Sequence, residues 1–218
     1  MRNYEQETKN RVAFIQAQLK TAGATGIVYG NSGGKDSALV GILCKKACED
    51  TVGIQLPISA RNYDIDLIDG KEVADKFGIA TRVVALAEVK AKFIDTVGAA
   101  TTVSEMANAN MSARLRMITL YAVAASENRL VAGTGNRSEA YMGYFTKWGD
   151  GAHDFNPIGD LTVTEIYEFL RYLDAPKSVI EKAPSAALFD GQTDEQEMGI
   201  TYAAIDDYLL NGKASDAD

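Results

Sequence analysis

Apolar residues recur along the chain in two alternating rhythms. Short runs of three to six mostly apolar residues, Ile27–Tyr29, Thr51–Leu56 (ended by Pro57), Thr81–Leu86 and Arg129–Ala132, read as strands. Between them, apolar positions return every three or four residues. Val12, Ile15 and Leu19 mark a helix over 4–20 that Gly23 stops, and Leu39, Ile42, Leu43 and Ala47 form the buried stripe of a second helix. A polar loop at 58–66 leads to a weaker helix ending at Phe77, with Gly78 as its C-cap. Val89, Phe93 and Val97 mark another stripe, closed by Gly98, and 105–127 is the longest helical segment. Strands alternating with helices predict right-handed βαβ units. The expected fold class is therefore α/β, a three-layer sandwich around a mainly parallel, doubly wound sheet, with a ligand at the carboxyl ends of the strands.

Beyond Gly133 the rhythm breaks down. Gly135, Gly143, Gly149, Gly151 and Gly159 punctuate a polar and aromatic stretch too long for an ordinary connection, and such loops are usually functional. Regularity returns at Thr162, where Thr162-x-x-Glu165 is a capping box ahead of Val163, Ile166, Leu170 and Leu173. Pro176 is placed to start another helix, 184–195 read as loop, and Thr193-x-x-Gln196 resembles a second capping box. Ile205, Tyr208 and Leu209 lie on a last amphipathic helix before Gly212, and 213–218 read as a frayed tail. With 218 residues and 46% hydrophobic content, the expectation is a single domain over 1–218.

Charge narrows the partners. A net charge of -8 and a pI near 4.8 argue against a nucleic-acid groove or an anionic membrane, both of which select for a basic face. No apolar run approaches the roughly 20 residues that span a bilayer, and no basic n-region with an apolar h-region opens the chain, so a cytoplasmic protein is expected. Cys44 and Cys48, four apart on one helix, read as semi-buried thiols rather than metal ligands.

The chemistry concentrates where the first strand meets its helix, at Gly30-Asn31-Ser32-Gly33-Gly34-Lys35-Asp36-Ser37. Ser32, Gly33 and Gly34 carry little or no side chain, so consecutive backbone amides can close on an anion while the following helix points its positive dipole end at the same spot. The loop matches neither the Walker A pattern nor the dinucleotide fingerprint. Asp36 makes sense beside phosphate only with a divalent cation between them, as a magnesium ligand. Lys35 is open to two readings, a phosphate contact or a solvated surface charge.

The string Ser32-Gly33-Gly34-Lys35-Asp36-Ser37 resembles the PP-loop of the ATP pyrophosphatases. Three further blocks follow in order: Ala109 to Met117, Gly133-Thr134-Gly135-Asn136-Arg137-Ser138-Glu139, and Gly143-Tyr144-Phe145-Thr146-Lys147-Trp148-Gly149-Asp150-Gly151. Together with Asp154 to Leu161 and with Pro184 to Glu195, they closely resemble the ammonia-dependent NAD synthetase family, over about residues 26 to 212. The resemblance implies an adenine nucleotide alpha hydrolase-like fold and a ligase that adenylates the nicotinic acid carboxylate of deamido-NAD with ATP, then lets ammonia displace AMP. By the same resemblance, Gly30, Asn31, Ser32, Gly33, Gly34, Lys35, Asp36 and Ser37 hold the ATP phosphates, with Thr134 and Ser185 as further ATP contacts. Asp36 and Glu139 would bind magnesium as the metal cofactor, and Arg114, Lys147 and Asp154 would contact deamido-NAD.

Lys147 and Asp150 are the candidate catalytic residues, Asp150 orienting ammonium or accepting its proton, with an Asx turn as its plainer role. Singly, Arg114 also reads as an exposed helix cation and Glu139 as a first-turn carboxylate at a helix N-terminus. His153 reads as incidental. Two departures stand out: the family commonly has lysine where this chain has Val163, and its C-terminal His-Lys segment has no counterpart before Asp218, so either the lid is supplied otherwise or the sequence is truncated.

Two other readings remain, another PP-loop amidating or thiolating enzyme and a catalytically weak nucleotide-binding protein of the same fold. A glutaminase is disfavoured, since it needs a further domain and an activated cysteine. Met106, Met111, Leu115, Ile118, Tyr121 and Val123 put apolar side chains on more faces of 105–127 than one sheet contact buries, which with the resemblance predicts a homodimer built around that helix.

Overall fold

The computed structural model describes residues 2–58, 63–181 and 194–213. Four strands, β1 (Gly26–Gly30), β2 (Thr51–Gln55), β3 (Ala80–Val83) and β4 (Arg129–Ala132), form one sheet in the order β3-β2-β1-β4. Every pairing is parallel, with Val28 opposite both Val52 and Val131. The helices are α1 (Tyr4–Ala22), α2 (Lys35–Ala47), α3 (Tyr63–Phe77), α4 (Ala87–Gly98), α5 (Glu105–Glu127), α6 (Arg137–Met142), α7 (Val163–Tyr172), α8 (Lys177–Glu181), α9 (Asp194–Met198) and α10 (Tyr202–Asn211).

The two-residue alternation of a strand sends neighbouring side chains to opposite faces, and that separates two cores. Ile27 and Tyr29 face α1, α2 and α7, packing with Ile15, Leu39, Leu43, Ile166 and Phe169. Val28, Val52, Ile54 and Val131 face the other way, against Ala124, Leu120 and Leu115 of α5. The three-layer, doubly wound arrangement expected from the strand–helix alternation is thus present. Because β4 adds beside β1 rather than beyond β3, the strand order reverses between β1 and β4. In doubly wound sheets a crevice opens at the carboxyl ends of the strands flanking such a reversal.

Helix ends follow their local chemistry. The Asn3 side chain accepts from Gln6 N, Gly23 closes α1 in the left-handed region (φ 66), and Ser104 caps α5 by accepting from Ala107 N. Thr162 and Glu165 form the expected capping box. Several expectations need correction. β3 ends at Val83 rather than 86, because its edge position leaves all four residues exposed and only one neighbour to pair with. α3 starts at 63, inside the stretch read as loop. The stripe of Val89 and Phe93 is not a core stripe, since α4 buries no residue and both side chains stay about half exposed. The irregular region after Gly133 contains α6, whose six residues are too few to show a period. The capping residue Thr193 and the tail 214–218 lie outside the described residues.

Candidate active site

At the reversal point, β1 runs into the loop 31–34 and β4 into 133–136. Gly33 adopts φ +73, open to it because it lacks a side chain, and Gly34 is the N-cap of α2 with no side chain to cap it. The first amides of α2 are therefore unsatisfied by side chains from the cap, and they carry the positive end of a 13-residue helix. Ser37 Oγ donates to Gly34 O at 3.0 Å and lies 3.1 Å from Ser32 Oγ, which braces the turn from inside. A cradle of this kind takes an anion such as phosphate. Ser32 is exposed at its mouth, while the Asn31 side chain is buried and turned toward α3, donating to Gly70 O at 3.0 Å. Its Oδ1 accepts from Gly33 N at 3.3 Å, so the same side chain also holds the loop.

Lys35 resolves its two readings: only 6% of its side chain is exposed, so it is not a solvated surface charge. It pairs with Asp36 at 2.8 Å. Burial pulls its ammonium down, but Asp36 and Glu139 more than offset this and hold it above the ordinary lysine value.

The loops after β1 and β4 meet through Asn136. Its Nδ2 donates to Asp36 Oδ1 at 3.2 Å, while its Oδ1 accepts from Glu139 N and its own N donates to Glu139 Oε2, both at 2.9 Å. Glu139 therefore fills its plainer role in a capping box and stands beside Asp36 as well. Glu139 is only partly exposed. Burial first, then the nearby charge of Asp36, push its carboxyl up to about 8, with Lys35 and the Asn136 amide working the other way. Two carboxylates in mutual repulsion are what a divalent cation relieves. Magnesium keeps waters and substrate phosphates as its other ligands, so one or two protein carboxylates are enough to hold it. The donor set fits.

Sequence reasoning missed a roof over Lys35. Tyr202, at the start of α10, lies with its ring 5.5 Å from the Lys35 ammonium, and its hydroxyl donates to Asp194 Oδ2 at 3.1 Å. Tyr144 donates to Glu197 at 2.6 Å and reaches Asp194 at 3.5 Å, so α9 is tied to the 143–151 loop as well. The links from Lys35 to Tyr202 and from Tyr144 to α9 join residues 50 or more positions apart and leave no local pattern.

The other candidates gather beside α5. Arg114 Nε and a terminal guanidinium nitrogen donate to Lys147 O at 3.3 and 3.2 Å, Thr146 Oγ1 pairs with Asn110 at 2.9 Å, and Gly149 lies so close to Ala113 that a Cβ would sit 2.8 Å from it. The Arg114 and Lys147 blocks are thus adjacent, with the Lys147 ammonium free of the sheet and 5.6 Å from the exposed Trp148 ring. Asp150 Oδ1 accepts from Thr146 N at 3.0 Å, four residues back along the chain, which closes the loop on itself without the i to i+2 geometry of an Asx turn. Although the residue is largely exposed, desolvation raises its carboxyl above the usual aspartate value. Asp154 accepts from Val131 N at 2.8 Å and from Tyr121 at 3.2 Å, which anchors it at the end of β4. Thr134 follows β4 beside the Asn136 turn. His153 packs over Gly133, where a Cβ would meet its ring at 2.6 Å, and burial lowers its basicity. Val163 is only 4% exposed and packs with Tyr202 and Ile205 beneath the roof, so it belongs to a small apolar core. Ser185 lies outside the described residues.

A phosphate cradle at the switch point of a parallel sheet, with a buried lysine and a carboxylate pair beside it, defines a nucleotide-binding α/β protein of the ATP pyrophosphatase fold. Residues 7–218 match the family model for NAD synthase. The chain is 47% identical to the NH(3)-dependent NAD(+) synthetase of Carboxydothermus hydrogenoformans, over 98% of its own length and 88% of that protein's. Its structure superposes on NMN synthetase from Francisella tularensis with a TM-score of 0.93 at 37% identity, covering 100% of this chain and 90% of that one. For the NH3-dependent NAD synthetase of Campylobacter jejuni the TM-score is 0.78 at 34% identity, over 83% and 78%. The chain belongs to the NAD synthase family.

Proposed function

We propose that the chain is a C–N ligase that amidates deamido-NAD with ammonia at the expense of ATP. The observation that carries this is the junction of Asp36, Asn136 and Glu139 beside the phosphate cradle, where two loops on either side of the sheet reversal are hydrogen-bonded into one site. A carboxylate oxygen of the nicotinic acid ring attacks the α-phosphorus of ATP, the bond from that phosphorus to the bridging oxygen breaks, and pyrophosphate leaves. Ammonia then adds to the acyl carbon, AMP departs with the bonding electron pair, and the nitrogen gives up a proton. The α2 amides and the buried Lys35 oppose the charge that gathers on the pyrophosphate. Asp36 and Glu139 would hold magnesium, which when bound supplies charge neutralisation between the two reacting anions.

In this reading Thr134 and Ser185 complete the ATP site, while Arg114, Lys147 and Asp154 orient deamido-NAD from the α5 side. Asp150, with its raised carboxyl, is the acceptor for the ammonium proton. A single cytoplasmic domain acting as a homodimer completes the proposal. Half-exposed Met106 and Ile118 on α5 support the dimer, because one sheet contact leaves them uncovered; no described helix is long and apolar enough to cross a membrane. A second reading keeps the chemistry and changes the acceptor to nicotinic acid mononucleotide, favoured by the close superposition on the Francisella tularensis NMN synthetase.

Incubation with ATP, magnesium, ammonium and either acceptor, following pyrophosphate and the amidated product, tests both. Product from deamido-NAD with the higher kcat/KM supports the first reading, and preference for the mononucleotide supports the second. ATP binding without pyrophosphate release from either acceptor would leave a nucleotide-binding protein and refute the ligase.

A further inference from the structure

We propose that Asn31 is a positioning residue that clamps the phosphate loop to α3 and, through that clamp, sets the affinity for ATP; this rests on the reading of the loop as the ATP site. Asn31 occupies the first loop position after β1 and is 5% exposed. Its backbone N continues the sheet, donating to Ile54 O at 2.8 Å. Its side chain makes two buried hydrogen bonds in opposite directions, Nδ2 donating to Gly70 O in α3 at 3.0 Å and Oδ1 accepting from Gly33 N at 3.3 Å. One amide thereby ties a helix to the loop residue whose φ is +73.

The helix side of the contact is shaped to receive it. Gly70 sits inside α3, where glycine is unfavourable, yet a Cβ there would lie 2.8 Å from Asn31 Oδ1 and 2.8 Å from Gln55 Nε2. Gln55, at the end of β2, donates to Leu67 O one turn away at 3.0 Å. Two buried amides from the ends of neighbouring strands therefore grip successive turns of α3, and the glycine is what lets the helix come close enough. Buried polar pairs of this kind select one arrangement, because any other leaves donors and acceptors unsatisfied. The arrangement selected here draws Gly33 N inward onto Asn31, which turns the loop so that the first amides of α2 face outward.

The test compares wild-type protein with Asn31→Leu, Asn31→Ser and Gly70→Ala, measuring melting temperature and KM for ATP and for deamido-NAD. Leucine fills the buried space but cannot hold Gly33 N or Gly70 O. Serine is too short for Gly70 yet keeps an oxygen two residues before Gly33 N, the geometry of a serine turn. The expected result is that Asn31→Leu raises KM for ATP at least fivefold while KM for deamido-NAD changes less than twofold, and that Asn31→Ser recovers at least half of the loss. Gly70→Ala should raise KM for ATP in the same direction by displacing the amide. Equal effects on both substrates, or no rescue by serine, would make Asn31 a purely structural residue and overturn the proposal. Inactive wild-type protein would instead refute the ligase reading, so the two failures are distinct.

Discussion

Glu139→Gln separates what the site costs the fold from what it does for the ligand. Glutamine serves at the third position of a capping box as well as glutamate does, so the bond to Asn136 N and the N-terminus of α6 survive the exchange. What disappears is a partly buried titratable carboxyl beside Asp36. The native carboxyl is raised from 4.5 to about 8, whereas in the unfolded chain it returns to the ordinary value. A raised carboxyl contributes its full stability below the unfolded value and loses it as the pH climbs through the folded one, since the unfolded chain sheds its proton first.

Each tenfold change in proton affinity is worth about 1.4 kcal/mol, so the complete rise corresponds to about 5 kcal/mol as an upper bound, and relaxation around the site reduces this to about 2 kcal/mol. Denaturant unfolding of both proteins without magnesium or nucleotide, at pH 5 and pH 8.5, measures it. The two should be nearly equal at pH 5, and Glu139→Gln should be more stable by about 2 kcal/mol at pH 8.5. Magnesium with ATP should then stabilise wild-type protein far more than the variant, and pyrophosphate release by the variant should fall by two orders of magnitude or more. A stability difference that stays flat with pH would show that the Glu139 carboxyl keeps its ordinary value in the folded protein. The repulsion argument for the metal site would then be wrong.

Asp36→Asn should likewise remove most pyrophosphate release and lower the melting temperature, since it takes the charged partner from the buried Lys35 ammonium; normal turnover at saturating magnesium would refute the metal assignment. Lys147→Ala should raise KM for deamido-NAD more than KM for ATP, because its loop packs on α5 rather than on the phosphate cradle; equal changes would place it elsewhere. Val163→Lys, which by family pattern alone ought to tighten ATP, should instead destabilise the fold by about 2 kcal/mol, since it puts an ammonium among Tyr202 and Ile205. Unchanged denaturant unfolding with tighter ATP binding would show that the side chain reaches phosphate. Sedimentation at micromolar concentration should give twice 23.5 kDa for wild-type protein, with Met106→Asp shifting it toward the single-chain mass.

The order and type of the elements were legible in the chain itself, because amphipathic period and turn chemistry are local. Residues 105–127 and 129–132 are delimited as the helix and strand they form: Ser104 and Asn128 cap that helix within a residue of its ends, and the strand's apolar run stops at glycine. The phosphate loop was equally legible, since close approach to an anion restricts which residues can stand there. Local pattern failed where exposure is decided by a neighbour. Val89 and Phe93 have a faultless helical spacing, but α4 packs on α5 in a way that leaves both side chains about half exposed.

Only the tertiary structure decided which charges share an environment. Asp36 and Glu139 are 103 positions apart, and it is the reversal of strand order between β1 and β4 that brings them to one Asn136. Lys35 became a buried cation because Tyr202, on the last helix, closes over it. Asn31 reads as a member of a phosphate motif by its place in the chain, and its side chain turns inward because α3 offers it a carbonyl at Gly70. Spacing along a chain carries information about the faces of its own helix or strand. Desolvation and Coulomb interaction depend on distance through space, which the packing of the layers alone sets.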